Sequence, residues 1–334
     1  MCPKNYALLL IALFFLSPDA KAEEATLLAG AKVEGEVIWY SGHSLSFLDT
    51  MGKAFEKKYP FIKVRVVRAS DETMTNRIST EKRAGKILFD VVNGQLLPVI
   101  QRLGVLAPFR TAGVDLIEPR FKDPNGYWAG VNLTYYVLSY NTALVSKDEV
   151  PQDWPDLVSA KWKGKIGMDP EEYQWLGGMM GYLGEEKARK ILEGIAQQQI
   201  QWRKGHSLLL QLTLAGEFAL SLGYAHEVEI SKSKGASVDW VRTTKPIIGG
   251  LSKVGLSSAP PHPNAAKLLI DFLTSKEGQI EYLKAGYNPV LPGIRPKGSS
   301  LDPVNLDLFP VSPRVILDLN RYVREFDAIF GPRR

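Results

Sequence analysis

The chain has 334 residues, 45% of them hydrophobic, and a single cysteine, Cys2, so no disulfide can form within it and its core must hold by burial alone. The formal charge is +5, with 41 lysines and arginines scattered among 36 acids and no basic block. That pattern excludes a nucleic-acid or membrane-surface binder working through charge.

Lys4 precedes an apolar run from Tyr6 to Leu16, and the stretch closes on Ala20-Lys21-Ala22. A charged start, an apolar core too short to span a bilayer and an A-x-A ending predict a cleaved secretory signal over residues 1–22. A retained anchor would need a longer run, and no lipid-attachment cysteine stands at the cleavage point because Cys2 precedes the run. The mature chain is expected to begin at Glu23. Loss of Lys4, Lys21 and Asp19 lowers the net charge to +4.

Gly35–Tyr40 reads as a first strand running into Ser41-Gly42-His43-Ser44, a polar turn ahead of Leu48, Met51, Phe55 and Tyr59 at helical spacing. A polar loop between a strand's carboxyl end and a helix's amino end is where open α/β sheets bind ligands. For His43 the competing reading is an ordinary surface-loop histidine. Phe61–Arg68 alternates Ile62, Val64 and Val66 with Lys63, Arg65 and Arg68, the period of a half-buried strand. Asp71 then opens a mostly polar helix toward Arg83. Phe89–Val92 is a short buried strand, followed by a second polar loop, Asn93-Gly94-Gln95. The βαβαβα order predicts a mostly parallel sheet with both polar loops on one edge.

Val131–Tyr140 is a ten-residue run of strand formers bounded by Gly130 and Asn141-Thr142. At about 3.3 Å per residue it reaches some 33 Å, enough to pass from one lobe to another or to form a long central strand. Adjacent strand residues face opposite ways, so at most one of Tyr135 and Tyr136 points at a cleft. Both are assigned to core or hinge packing.

Further on, Trp154–Pro170 reads WPDLVSAKWKGKIGMDP, Ala215-Gly216-Glu217 stands before an apolar strand, and Gly255–Gln279 reads GLSSAPPHPNAAKLLIDFLTSKEGQ, followed by Tyr287-Asn288-Pro289-Val290 and Pro292. In this order the stretches resemble the extracellular solute-binding proteins of ABC importers, in the group with ferric-iron, polyamine, thiamine and phosphonate binders. The resemblance runs over nearly all of the mature chain. It implies the α/β, two-lobe periplasmic-binding-protein fold of type 2, closing on a ligand like a hinged trap. Lobe one would comprise 23–131 plus 256–292 and lobe two 132–255 plus 293–334, joined by Val131–Tyr140 and a return strand near Gly249–Ser257. The HPNAA helix has its own logic: Pro263 suits a first turn, and Ala266, Leu269, Ile270 and Leu273 form an apolar face. His262 beside it is read as structural.

The resemblance also implies which loops face the cleft. From lobe one come Ser41, His43, Asn93 and Gln95; from lobe two come Glu171, Glu172, Tyr173, His206, Tyr224 and His226. If a metal is bound, His43, Glu172, His206, Tyr224 and His226 are its expected ligands, with ferric iron or another transition metal as cargo and no resident cofactor. Ferric binders of the group typically present a first-loop histidine, an acid after the third strand and two adjacent tyrosines after the "aGE" strand. Here His43 is shifted by about one position, Gln95 stands at the acid's place, and Tyr224 is followed by Ala225 and His226. Glu171 and Glu172 occupy a turn that some iron binders use to hold an anion, and their charge repels one. They fit a cationic, polyamine- or thiamine-like solute stacked on Tyr173, Trp175 or Tyr224, or they only complement a helix dipole.

The expected role is therefore a monomeric periplasmic receptor delivering its solute to a permease and ATPase, with no nucleic acid involved. A secreted hydrolase using His43 or His206 is the rival class. It lacks a G-x-S-x-G elbow, an H-E-x-x-H and a usable cysteine.

Overall fold

A computed structural model describes residues 18–295, 299–302 and 306–331. Most of the expected signal segment lies outside them. Helix α1 (Pro18–Glu34) runs through the expected cleavage point and lies against α10 (Pro263–Thr274). Its last residue, Glu34, accepts hydrogen bonds from the amides of Asn264 and Ala265 and so caps α10, whose first position is Pro263.

The first lobe alternates strands and helices: β1 (Glu36–Ser41), α2 (Leu45–Lys58), β2 (Lys63–Arg68), α3 (Asp71–Arg83), β3 (Val91–Gly94), α4 (Leu97–Arg102), β4 (Leu106–Ala107) and α5 (Ala112–Asp115). Ser44 and Ser70 cap α2 and α3 by accepting from the amides of Phe47 and Thr73. Phe47, Leu48, Met51 and Phe55 bury one face of α2. β3 is shifted from the expected 89–92 because Asn93 and Gly94 pair with the long return strand instead of forming a free loop.

The crossing strand is β5 (Ala129–Asn141), 13 residues long and buried along nearly its whole length. The second lobe follows with β6 (Ile166–Met168), α6 (Tyr173–Leu183), α7 (Glu185–Ala196), β7 (Gln201–Trp202), α8 (His206–Ala215), β8 (Leu220–Tyr224), α9 (Ala225–Ser233) and β9 (Val238–Trp240). The return is β10 (Ile247–Ser257), antiparallel to β5, with a register shift between Ser252 and Lys253. The chain then adds α10, α11 (Lys276–Lys284), β11 (Asn288–Pro289), β12 (Leu308–Pro310), α12 (Pro313–Leu317) and α13 (Leu319–Phe330).

The strand order β2-β1-β3-β10-β5-β8-β6-β7 places the two long strands in the middle. The outer trios on either side are parallel, while β10 is antiparallel to both of its neighbours. Strands buried on both faces read as continuous apolar runs, which is why β5 was visible without a polar alternation. Separate cores form under the lobes, one including Phe55, Phe272 and Tyr282 and another including Trp154, Trp175 and Phe326. One buried side chain, Gln279 of α11, joins distant parts. Its amide donates to Val131 O and Leu273 O, and its oxygen accepts from the amides of Val290 and Leu291. Among the described residues no helix is long and apolar enough to cross a membrane.

Candidate functional site

The carboxyl ends of β1 and β3, the amino ends of α2, α3, α8 and α9, and the turn before α6 enclose a cleft of about 500 Å³. Parallel strands put these ends on one edge, so backbone amides and loop side chains converge there.

On the first-lobe side, His43 is held from both ring nitrogens. Nδ1 lies 3.2 Å from Ser41 Oγ, and Nε2 lies 3.0 Å from Asn132 Oδ1 of β5. The protons can be followed further. Asn93 donates through Nδ2 to Lys253 O at 2.7 Å, so its oxygen faces Ser41; a neutral His43 that donates through Nε2 to Asn132 leaves Nδ1 bare, and the single Ser41 hydroxyl proton is shared between Nδ1 and Asn93 Oδ1. Burial lowers the His43 pKa to about 4, against the hydrogen bonds of Asn132 and Asn93, so the ring is neutral at pH 7. Beside it Lys253 donates to the carbonyls of Gln95 and Leu251, and burial lowers its pKa to about 8, with Asp71 opposing the fall.

On the second-lobe side, Glu172 accepts from His206 Nε2 at 2.8 Å. Burial opposes the positive charge on His206, but the carboxylate and its hydrogen bond outweigh that and raise the ring's pKa. Burial likewise raises Glu172, with His206 acting against it. Asp169 fixes the turn by accepting from the amides of Glu171 and Gly205, which brings the start of α8 to the start of α6. From His206 a ladder of rings follows the wall. Tyr224 stacks on His206 with centroids 3.9 Å apart, His226 lies 5.7 Å beyond Tyr224, and Tyr287 stacks on His226 at 4.9 Å. Tyr287 in turn meets His43 edge-on at 5.1 Å, so the ladder reaches the first-lobe wall. Tyr224 meets Tyr136 edge-on with centroids 5.3 Å apart, and burial raises the pKa of both phenols. His226 is buried and neutral, its pKa lowered to about 3 by burial and then by the nearby histidines.

Seven of the residues expected at the cleft line it: His43, Gln95, Glu171, Glu172, His206, Tyr224 and His226. Ser41 and Asn93 lie behind the wall, buried, where they hold His43 and β10. Tyr173 turns away, with its ring 5.6 Å from that of Phe326 in the second-lobe core. Glu172 takes the cleft side of that turn, and the next residue along the helix is rotated off it. Trp175 is likewise buried in the core, stacked edge-on against Trp154, and offers no face to a solute.

The five expected metal ligands do not form a coordination set in this conformation. Both nitrogens of His43 are engaged inside the protein, and His206 is bound to Glu172. Among the described residues no three of His, Cys, Asp and Glu are grouped so as to hold a metal ion.

Several lining residues escape a reading of the sequence. Tyr136 faces the cleft, while Tyr135 faces the core and donates to Leu301 O at 3.2 Å. Strand alternation required such a split and could not say which tyrosine went where. Asn132 and Thr134 share the cleft-facing parity of Tyr136, which would have pointed to them. Asp71, Glu72, Arg68 and Glu227 read as ordinary helix-end and strand-end charges.

Residues 50–303 match the family of bacterial extracellular solute-binding proteins, and the chain belongs to that family. Its members are solute receptors and not enzymes, and the chain is a solute-binding protein of the ABC-transporter kind. A Fe(3+)-binding periplasmic protein of Serratia marcescens is 22% identical over 278 residues, spanning 79% of this chain and 82% of that protein. Among solved structures, iron-bound HitA from Pseudomonas aeruginosa superposes with a TM-score of 0.78 at 20% identity, covering 87% of this chain and 99% of the other. The periplasmic binding protein AfuA from Actinobacillus pleuropneumoniae, with fructose-6-phosphate bound, gives 0.79 at 23% identity, covering 90% and 99%. At such identities the likeness shows a shared two-lobe fold around different ligands.

Proposed function

We propose that this protein is the periplasmic receptor of an ABC importer for a small organic solute that carries a positive charge, and that it hands the solute to a permease driven by an ATPase. The observation that carries this reading is the charge of the cleft. Six carboxylates line it, those of Asp71, Glu72, Asp169, Glu171, Glu172 and Glu227, against two permanent cations, Arg68 and Lys204. Lys204 is already paired with Glu171 at 2.7 Å. Such a cleft repels phosphate and sugar-phosphate ligands, and its low-dielectric walls strengthen that field. The rings of Tyr136, Tyr224 and Tyr287, which also line the cleft, complete a surface suited to an organic cation.

Ferric iron is the second reading. Glu172, His206, Tyr224 and His226 share one wall, and the relatives named for iron favour it. It requires His206 to leave Glu172 and a phenol to lose its proton, both steps that a trivalent ion can drive. Elemental analysis and native mass spectrometry of protein purified from periplasm without chelator separate the two. A metal-free chain with a small basic molecule attached supports the organic cation. One iron per chain, with a visible phenolate absorption band, overturns it.

A further inference from the structure

Asp71 is the first residue of α3, and at such a position an acid commonly does no more than complement the helix dipole. Its surroundings here are more specific. One carboxylate oxygen accepts the amide of Gln95 at 2.6 Å and so draws the loop after β3 toward it. The other occupies space that two glycines leave open: a Cβ on Gly42 would lie 2.5 Å from Asp71 Oδ1, and one on Gly94 would lie 2.4 Å away. Neither glycine has a positive φ, so room for the carboxylate, and not backbone conformation, is what requires glycine there. The loops after β1 and β3 are thus both shaped around one acid, and that acid lines the cleft.

Among the described residues this carboxylate has the field of Lys253 but no direct ion-pair partner. Among the described residues no lysine, arginine or histidine forms an ion pair with it, and the nearest candidate, Lys253, spends its donors on the carbonyls of Gln95 and Leu251. Burial raises the Asp71 pKa to about 6, with the Gln95 amide and Lys253 opposing, as expected of a charge awaiting a partner. A separate observation concerns the rest of the same cleft. Gln95 Oε1, Gln174 Oε1, Glu227 Oε2 and His226 Nδ1 belong to cleft-lining side chains, are shielded, and have no hydrogen-bond partner among the described residues. Three of the four are oxygens that only accept, so a well-matched occupant brings N–H or O–H donors as well as charge.

We propose that Asp71, seated between Gly42 and Gly94, recognises the charged end of the solute, and that this end is an ammonium bearing N–H donors and not a fully N-methylated one. The proposal rests on the organic-cation reading above. A primary ammonium supplies three donors to a site of acceptors, whereas a quaternary ammonium of the same charge supplies none and leaves the buried acceptors unmet.

Calorimetric titration of the mature protein with ethanolamine, 1,4-diaminobutane and choline tests it. The two amines are expected to bind at least tenfold more tightly than choline. Asp71→Asn is expected to weaken amine binding tenfold or more. Gly94→Ala keeps the charge but displaces the carboxylate, and it is expected to do the same; Glu277→Gln, on an exposed acid remote from the cleft, should change nothing. If Asp71→Asn fails to fold, Gly94→Ala decides, because its methyl meets only the movable end of a side chain. Amine binding that both variants retain within twofold overturns the role of Asp71, and choline binding as tightly as ethanolamine overturns the N–H requirement. A wild-type protein that binds none of the three overturns the assignment together with the organic-cation reading, which distinguishes that failure from the other two.

Discussion

On the first-lobe wall, the ring nitrogens of His43 and the amide of Asn93 are held by partners inside the protein, and Gln95 Oε1 is the exception. On the second-lobe wall, His226 Nδ1, Gln174 Oε1 and Glu227 Oε2 have no such partner among the described residues, and His206 is held by Glu172 across the turn. One wall is built before any ligand arrives, and the other leaves bonds for the ligand to make. A hinged receptor benefits from that division, since a preset surface lowers the ordering cost of first contact and an incomplete one gives closure something to gain.

Breaking the preset wall should have the largest effect. Asn93→Leu removes the donor to Lys253 O and the acceptor for Ser41, leaving buried polar groups unpaired, and should cost about 3 kcal/mol in denaturant unfolding. The same change should free His43 to tilt, visible as a shift of its ring signals by NMR.

The pH dependence of stability sharpens the comparison next. His43 and His226 have folded pKa values depressed to about 4 and about 3, so below about pH 6.5 the unfolded chain takes up protons that the folded chain refuses. The contribution of these two rings should therefore fall as pH drops from about 6.5 toward 4, against an opposing gain from Asp71, Glu172 and His206, whose folded pKa values are raised. His226→Phe should remove about 2 to 3 kcal/mol of that loss between pH 6.5 and 4.5, at one proton's worth of linkage. An unchanged slope in the variant would show that His226 is protonated in the folded protein.

A smaller effect separates the ion pair on the second wall. With Glu172→Gln, burial acts on His206 against only the weaker pull of Asp169 and Glu227, and an NMR titration should show its pKa falling. Affinity for a cationic solute should fall by an amount typical of a charged hydrogen bond, roughly 1.5 to 3 kcal/mol. The smallest change is expected away from both walls. His262 donates to Asp90 at 2.8 Å at the head of α10, and His262→Gln should cost about 1 kcal/mol of stability with no change in ligand affinity.

These contrasts also show what a sequence can carry. The crossing strand was legible because burial on both faces leaves an uninterrupted run of strand formers, and α10 because Pro263 and the spacing of its apolar residues mark its start and buried face. Asp71 was not, because its partners, Gly42, Gly94 and Gln95, come from two other loops and each looks ordinary alone. Nor was the tie between Asn93 and Lys253, 160 residues apart in the chain. The choice between Tyr135 and Tyr136 turned on strand parity, which neighbouring residues of the same type conceal.

The place of β10 in the sheet has a consequence for how the chain comes to be folded. This strand separates β3 from β5, and Glu34 caps a helix that begins only at residue 263, so the first lobe lacks its central strand and a helix cap until its polypeptide is more than three-quarters made. At synthesis rates of roughly 5 to 20 residues per second, the interval between β5 and α10 lasts on the order of ten seconds. Through that interval the β3 edge stands open, the nascent chain depends on being kept from self-association, and the slowest search, the closure of a loop of some 230 residues, comes last.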